Sequence, residues 1–182
     1  MSLKFLPPVI VGQTPRILVR SWLETDIDAW ISLSQDDGLN KFSLSGYRMK
    51  DREQAIAFID RASDFFSKTQ LIGAFPILLK SSSEMIGICG LKLVKLHDES
   101  TEKIEIMYRL AQPFWKKGYA TEAGRILIEY AFKNLQLDKV IGFILPENIP
   151  SRAVLLRLGM SFVRKSKYSG HEVELFEICS SK

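Results

Sequence analysis

The sequence has few of the residues that build disulfide scaffolds and metal centres. Its 182 residues include two cysteines, Cys89 and Cys179, and two histidines, His97 and His171. The cysteines are too few and too far apart to predict a disulfide framework or a zinc site. Cys89 falls in an apolar segment, which is typical of a buried and unreactive thiol. His97 falls in a charged segment, which is typical of a solvated side chain. We therefore expect no metal.

Membrane and nucleic-acid signals are also missing. No uninterrupted apolar run approaches the roughly 20 residues that span a bilayer. The N-terminus carries only Lys4 before an apolar stretch that Pro7 and Pro8 interrupt, which matches a signal peptide poorly. The net charge of +4 is modest, and no dense basic run is present. We expect a cytoplasmic protein without direct nucleic-acid or membrane contacts, whose basic surface favours an anionic ligand.

Length and composition predict one globular domain. Hydrophobic residues make up 46% of the chain, which is enough for one sizeable core, and no repeat or low-complexity tract is visible. We expect a single domain over residues 1–182. Residues 1–13 contain Pro7, Pro8 and Gly12, and we expect them to form a loose arm.

The most informative segment is a small-residue turn between a strand pattern and a helix pattern. Ile104, Ile106 and Tyr108 alternate with more polar residues, as in a strand. Apolar residues recur at helical spacing from Ala120 onward, so the turn around Gly118 leads into the first turn of a helix. The unpaired amides there and the helix dipole attract anions. The alternative is a plain tight turn before a core helix. No GxxxxGK[ST] or GxGxxG motif supports a nucleotide site.

A second segment has the same organisation. Residues 139–145 read as a buried strand, and the polar run Pro-Glu-Asn-Ile-Pro-Ser follows at residues 146–151. A helix is predicted over 152–158, closed by Gly159. Asn148 and Ser151 therefore lie between a strand and a helix. Ser151 is also a good candidate for the N-cap of that helix.

The remaining pattern predicts strands at 16–22, 71–79, 85–95, 162–165 and 173–179, and helices at about 26–34 and 52–66. Asp26 and Thr25 are predicted to cap the first of these helices and Asp51 the second. Trp22, Trp30 and Trp115 are expected in the core. Together these elements predict an α/β fold with a mixed, mainly antiparallel central sheet flanked by helices.

The two turn segments together resemble the GNAT superfamily of N-acetyltransferases. The strings Phe-Trp-Lys-Lys-Gly-Tyr-Ala-Thr-Glu-Ala at residues 114–123 and Glu-Asn-Ile-Pro-Ser at 147–151 look like those of its RimJ/RimL-like branch. The order of strands and helices along most of the chain is also similar to that family. One departure is Lys116, which stands where the branch often has a second glycine.

The resemblance implies acetyl-CoA as co-substrate and a defined set of binding groups. The amides of Lys117, Gly118, Tyr119, Ala120 and Thr121 would hold the pyrophosphate, with the two small residues permitting close approach. The pantetheine arm would lie between splayed strands. The carboxamide at position 148 would bind its amides, because a carboxamide both donates and accepts hydrogen bonds. In this sequence alone, that asparagine can equally be a turn residue.

The resemblance also implies three catalytic groups. Glu105 is the candidate base for the acceptor amine, directly or through a water, and its alternative is an exposed strand residue. The backbone N–H of Met107 is the candidate donor to the developing oxyanion. Many superfamily members use a tyrosine as the acid that protonates the leaving thiolate, but this chain has Leu155 at that position. Ser151 is the substitute.

The implied activity is direct acetyl transfer to a primary amine in a ternary complex. The acceptor would be a protein N-terminal α-amine, as in ribosomal-protein acetylation, or a small-molecule amine. The sequence leaves both open, and it is compatible with a monomer or a homodimer. The alternative to an enzyme is a non-catalytic acyl-CoA-binding module that regulates a partner.

Overall fold

The computed structural model describes residues 8–44 and 46–180. One sheet of eight strands forms its centre. The strands are β1 (Ile10–Gln13), β2 (Ile17–Arg20), β3 (Phe75–Leu79), β4 (Met85–Val94), β5 (Lys103–Leu110), β6 (Lys139–Ile144), β7 (Ser161–Tyr168) and β8 (His171–Cys179). The helices are α1 (Ile27–Ser34), α2 (Asp37–Asn40), α3 (Arg52–Thr69), α4 (Tyr119–Lys133) and α5 (Ile149–Arg157). The predicted mixed α/β architecture is confirmed.

The strands lie in the order β1-β2-β3-β4-β5-β6-β8-β7. Neighbouring strands are antiparallel except for β5 and β6, which are parallel. Parallel neighbours need a long crossover connection, and α4 supplies it. Its buried residues, which include Ile126 and Leu127, pack this helix against the sheet. The beginning of α4 therefore lies beside the place where β5 meets β6.

Side chains of β5 alternate between two faces, and different helices cover each face. On one face, Ile106 approaches Gly142 of β6, where α5 packs through Leu155. On the other face, Arg109 donates to the Leu39 carbonyl oxygen of α2 at 3.5 Å. The α1 and α3 helices lie on this second side. Their aromatic side chains surround Tyr47, which stacks against Arg109.

The ladder between β5 and β6 is very short. Strand β4 pairs with β5 at eight successive positions, from Gly87–Leu110 to Val94–Lys103. Across both fully described strands, β5 and β6 share the single pair Glu105–Ile141. Beyond this pair the strands separate, so the sheet contains a split that opens beside Glu105. The splayed strands implied by the family resemblance are present.

Several predicted elements match the structure closely. The helix predicted at 52–66 is present and runs one turn further, and Asp51 caps it by accepting from the Gln54 N–H at 2.8 Å. Strands β3 and β4 form the predicted hairpin across residues 80–84. Trp22 and Trp30 are fully buried, as predicted. Trp115 is only partly buried, and its indole N–H donates to the Leu110 carbonyl oxygen at 2.7 Å.

The N-terminal segment differs from its prediction. Residues 1–7 lie outside the described part of the chain, but residues 10–13 form β1 rather than a loose arm. Two valines, Val9 and Val11, pack against the main core, and Ser21 N–H donates to the Val9 carbonyl oxygen at 2.8 Å. These contacts hold the segment against β2.

The caps of two helices also differ from prediction. A short 3-10 helix spans Glu24–Asp26, and the Asp26 carboxylate accepts from the Leu23 N–H rather than capping α1. Helix α5 begins at Ile149, three residues earlier than predicted. Its N-cap is Asn148, whose Oδ1 accepts from the Ser151 N–H at 3.2 Å. Ser151 is therefore not the N-cap, because Asn148 can reach that amide from one turn earlier.

Candidate active site

A cavity of about 250 Å³ opens at the split between β5 and β6. The predicted residues Glu105, Met107, Asn148 and Ser151 all line it. Its other lining residues come from β4, β5, β6 and α5, from the loop after α2, and from the β7–β8 hairpin. The structure thus brings the candidate catalytic residues of two distant sequence segments into one cavity.

Glu105 is buried in this cavity, with 5% of its surface exposed. Its carboxylate lies 3.0 Å from the Lys92 Nζ, which stands directly opposite on β4. Burial raises the pKa of Glu105 to about 7, although Lys92 and Arg109 act in the opposite direction. The exposed-strand alternative for Glu105 is therefore wrong. A carboxylate with a pKa near neutrality is suited to accept a proton.

The raised pKa of Glu105 should make the free energy of unfolding depend on pH. Between pH 4.5 and about 7, the folded state keeps a proton on Glu105 that the unfolded state has lost. Stability from this group therefore falls as pH rises. The Glu105→Gln variant lacks this effect, so it should gain stability relative to wild type by up to about 1.4 kcal/mol per pH unit over that interval. Urea unfolding of both proteins at several pH values measures this difference in stability.

The matched control for that series is Glu129→Gln, because Glu129 is an exposed residue of α4 whose ion pair with Lys133 is open to solvent. Its stability difference from wild type should show no comparable trend. A flat difference for Glu105→Gln between pH 4.5 and 7 would contradict the raised pKa.

Tyr108 joins β5 to the start of α5. Its hydroxyl lies 2.9 Å from Ser151 Oγ and 3.3 Å from the Ser151 carbonyl oxygen. Burial raises the pKa of Tyr108, so the phenol stays protonated at neutral pH. The pair Tyr108–Ser151 thus presents a hydroxyl proton at the split. The sequence predicted Ser151 here but missed Tyr108, because no local pattern pairs a strand residue with a helix residue 43 positions away.

The backbone of β5 also has a defined direction at the split. Pairs in an antiparallel ladder alternate between exchanging two hydrogen bonds and exchanging none. Ala111 N–H donates to the Ile86 carbonyl oxygen, so these two residues form a hydrogen-bonded pair and the next pair, Gly87–Leu110, is not hydrogen-bonded. The same alternation makes Gly90–Met107 a hydrogen-bonded pair, so the amide of Met107 faces β4. The amide of Tyr108 faces β6 instead, where the ladder has ended.

The predicted phosphate-binding turn has a strained backbone that leads into α4. Lys116 and Gly118 have φ of 60° and 88°, both in the left-handed region that favours glycine. The first backbone bond of α4 runs from the Glu122 N–H to the Gly118 carbonyl oxygen at 3.1 Å. The amides of Tyr119, Ala120 and Thr121 precede that bond and are the free donors of a helix start.

Arg16 of the N-terminal segment supports this turn. Its guanidinium donates to the Lys117 carbonyl oxygen at 2.9 Å, pairs with Glu122 and lies over the Tyr119 ring. Thr14 donates to the same Glu122 carboxylate at 2.5 Å. Glu122 in the first turn would otherwise repel an anion at the helix start. Arg16 neutralises that charge, and sequence patterns gave no sign of this contact.

One side of the cavity carries charged and aromatic side chains. Lys92 and Arg109 line it, with aromatic rings from Tyr47, Phe143 and Tyr168. Lys92 Nζ lies about 6 Å from the ring centroids of both Phe143 and Tyr168. None of these residues stands out in the sequence, because each comes from a different element. The short loop after α2 contributes Phe42 and Leu44.

A family model described as the acetyltransferase (GNAT) domain matches residues 16–161 of the chain. The chain belongs to the GNAT acetyltransferase family. This GNAT acetyltransferase is 30% identical over 159 residues to the uncharacterized N-acetyltransferase p20 of Bacillus licheniformis, covering 87% of this chain and 85% of that protein. It is also 30% identical over 162 residues to the uncharacterized N-acetyltransferase YnaD of Bacillus subtilis, covering 87% and 89% of the two chains.

The fold of this GNAT acetyltransferase is shared with solved structures. One is RimL, described as a ribosomal L7/L12 alpha-N-protein acetyltransferase in complex with coenzyme A, with a TM-score of 0.78. The match covers 93% of this chain and 97% of that chain at 15% identity. The resemblance to the RimJ/RimL-like branch is therefore supported at the level of fold. Within the described residues, no helix of the acetyltransferase is long and apolar enough to cross a membrane.

Proposed function

We propose that this acetyltransferase uses acetyl-CoA to acetylate a primary amine by direct attack in a ternary complex. The observation that carries the proposal is the position of Glu105, a buried carboxylate with a pKa of about 7 at the opening of the sheet. Bound acetyl-CoA would supply an activated acyl thioester. The protein's own residues would bind the donor, deprotonate the amine and protonate the leaving sulfur.

The residues present fit acetyl-CoA at two places. The amides of residues 117–121 and the left-handed Gly118 form an anion-binding helix start for its pyrophosphate. The split between β5 and β6 leaves unpaired strand edges for an arm that carries amides. Asn148 lines this split, and its Oδ1 already caps α5. Its Nδ2 donates to no other described residue, so that end of the carboxamide would serve the arm.

Glu105 would take the proton of the amine as it attacks. An α-amine has a pKa of about 7.7 to 8.0, close to that of Glu105, whereas a lysine amine near 10.4 costs roughly 3 to 4 kcal/mol more to deprotonate. This difference favours an α-amine or a similarly acidic small amine as acceptor. RimL, whose fold is shared, is described as an alpha-N-protein acetyltransferase, which agrees with that preference.

The developing oxyanion needs a donor that faces the split. The strand register directs the amide of Met107 toward β4, and the amide of Tyr108 is the next one that faces β6. We assign the oxyanion contact to Tyr108 N–H in place of Met107 N–H. The Tyr108 hydroxyl, hydrogen-bonded to Ser151, would supply the proton that the leaving thiolate takes up.

Tyr108→Phe tests the role of that hydroxyl. Turnover should fall by about 10²-fold, the lower range for a lost acid–base group, while coenzyme A affinity stays unchanged. Ser151→Ala should cost about 1 kcal/mol of stability with a smaller loss of turnover, because the Ser151 carbonyl oxygen remains as a partner. Tyr130→Phe removes a hydroxyl bonded to the Gln70 carbonyl oxygen outside the cavity and serves as control. Equal turnover in Tyr108→Phe and Tyr130→Phe would reject the Tyr108 hydroxyl as the proton donor to the leaving thiolate.

The activity itself is tested by thiol release from acetyl-CoA, with N-terminal peptides and small amines as acceptors. Amine-dependent release with mass-spectrometric detection of the acetylated amine is the expected result. Calorimetry of acetyl-CoA binding is run alongside. Binding without release across the panel would favour the non-catalytic acyl-CoA-binding module, and no binding would contradict the donor site.

A further inference from the structure

The cavity contains one cation, Arg109, that forms no ion pair within the described residues. Lys92 is paired with Glu105, but no carboxylate among residues 8–44 and 46–180 lies within ion-pair distance of Arg109. Arg109 Nε is buried and makes no hydrogen bond in the described part of the chain. The guanidinium makes one long bond of 3.5 Å to the Leu39 carbonyl oxygen and stacks 5.0 Å from the Tyr47 ring centroid.

Arg109 is held in place by packing rather than by charge. Tyr47, which supports its guanidinium, stands edge-on against Trp30 and Phe58, with ring centroids 6.4 and 5.9 Å away. Trp30 of α1 is buried in the main core, and Phe58 of α3 packs against that core. A planar guanidinium that is fixed against an aromatic ring and lines a cavity is arranged for two-point recognition of an anionic oxygen group.

Charge in the cavity supports the same conclusion. Lys92 and Arg109 carry two positive charges, and Glu105 carries at most one negative charge. A simple amine reaches the site largely as a cation at neutral pH, so a lining with excess positive charge opposes it. An acceptor with its own anionic group would satisfy Arg109 and remove this repulsion.

We propose that the acceptor amine carries a carboxylate, which Arg109 binds while Glu105 receives the amine. This inference rests on the proposed amine acetylation. Glu105 and Arg109 lie on the same face of β5, and four residues of extended strand separate their Cα atoms by about 13 Å. The long arginine side chain spans part of this distance. The carboxylate therefore lies several bonds from the amine, as in a peptide with an acidic residue close to its N-terminus, whose α-amine also has the low pKa that suits Glu105.

The experiment uses acceptor pairs that differ only in this charge. One arm compares short peptides that carry glutamate or glutamine at the second position, which share the same kind of α-amine. A second arm compares short peptides that carry aspartate or asparagine at the second position. For each pair we measure kcat/KM by thiol release and acceptor affinity by calorimetry on the coenzyme A-bound enzyme. The best carboxylate should exceed its amide by about 10-fold to 100-fold.

Arg109→Gln should abolish this discrimination. Because Arg109 also lowers the pKa of Glu105, its loss affects both acceptors, so the readout is the ratio of the two kcat/KM values measured in the variant at one pH. Arg164→Gln is the matched control, because Arg164 is a similarly exposed arginine that pairs with Asp98 and Glu99 outside the cavity. Equal losses for carboxylate and amide in Arg109→Gln would show a purely structural role and overturn the proposal. Equal use of both forms by wild type, or no binding of either, would also overturn it.

The two measurements separate this inference from the acetylation itself. Thiol release without charge preference would leave the proposed function intact and reject the carboxylate site. Binding of a carboxylate acceptor that depends on Arg109, without thiol release, would support the site and reject the proposed transfer.

Discussion

Replacing Glu105 with glutamine is expected to lower kcat by about 10²-fold to 10⁴-fold, the range for loss of a general base. The wild-type enzyme should gain activity as pH rises through about 7, where Glu105 loses its proton. The variant should lose that rising limb, because glutamine does not titrate. Affinity for coenzyme A should stay unchanged. Thiol-release kinetics from pH 5.5 to 9, with calorimetric binding of coenzyme A, measure both effects.

Lys92→Met is the companion variant for this test. Lys92 lowers the pKa of Glu105 through its charge and its hydrogen bond, so its removal should raise that pKa. The rising limb of the pH profile should therefore move to higher pH while catalysis persists. A wild-type profile in both variants would remove Glu105 as the base and leave a water or another group in that role.

Replacing Gly118 with valine is expected to weaken coenzyme A binding by at least about 100-fold. Gly118 has φ of 88°, a conformation that a β-branched residue adopts only with strain. A Cβ atom there would also lie 3.1 Å from Arg16 Nη2, the group that holds the turn. The variant should move the amides of residues 117–121 out of alignment. Calorimetric titration with coenzyme A measures the loss.

The control for backbone strain is Gly159→Val. Gly159 has φ of 85° at the end of α5, and a Cβ atom there would meet only Ile178 at 3.7 Å. Both variants should lose stability from the same unfavourable φ, on the order of 1 to 2 kcal/mol. Only Gly118→Val should lose coenzyme A affinity. Unchanged affinity in Gly118→Val would refute the assignment of this turn to phosphate binding.

Local sequence patterns were sufficient to predict the turn at Gly118 and the strand and helix on either side of it. The alternation along β5, the turn at Gly118 and the helical spacing of α4 all lie within one continuous segment. Their geometry depends on nearby residues, so pattern and structure agree. The cap of α5 was predicted wrongly because Asn148 and Ser151 are both good capping residues, and the local sequence does not decide between them.

The contacts of Lys92, Tyr108 and Arg109 could not be predicted in the same way. Lys92 meets Glu105 only because β4 and β5 pair in one particular register, and Tyr108 meets Ser151 only because α5 crosses β5. Arg109 faces Tyr47 through the packing of α1 and α3. Each contact depends on tertiary packing between distant segments. A strand residue such as Arg109 gives no sequence signal that distinguishes a cavity residue from a solvated one.

The most direct test of the site is a backbone-amide NMR titration of the wild-type protein with acetyl-CoA. We expect the largest shifts at residues 117–121, at Tyr108, and at residues 144–148, where β6 leaves the split. A second cavity, of about 480 Å³, is lined by residues that include Asp37, Arg48 and Trp115, and it should respond little. Shifts confined to that second cavity, with none at the start of α4 or along the split, would contradict acetyl-CoA binding at the opening between β5 and β6.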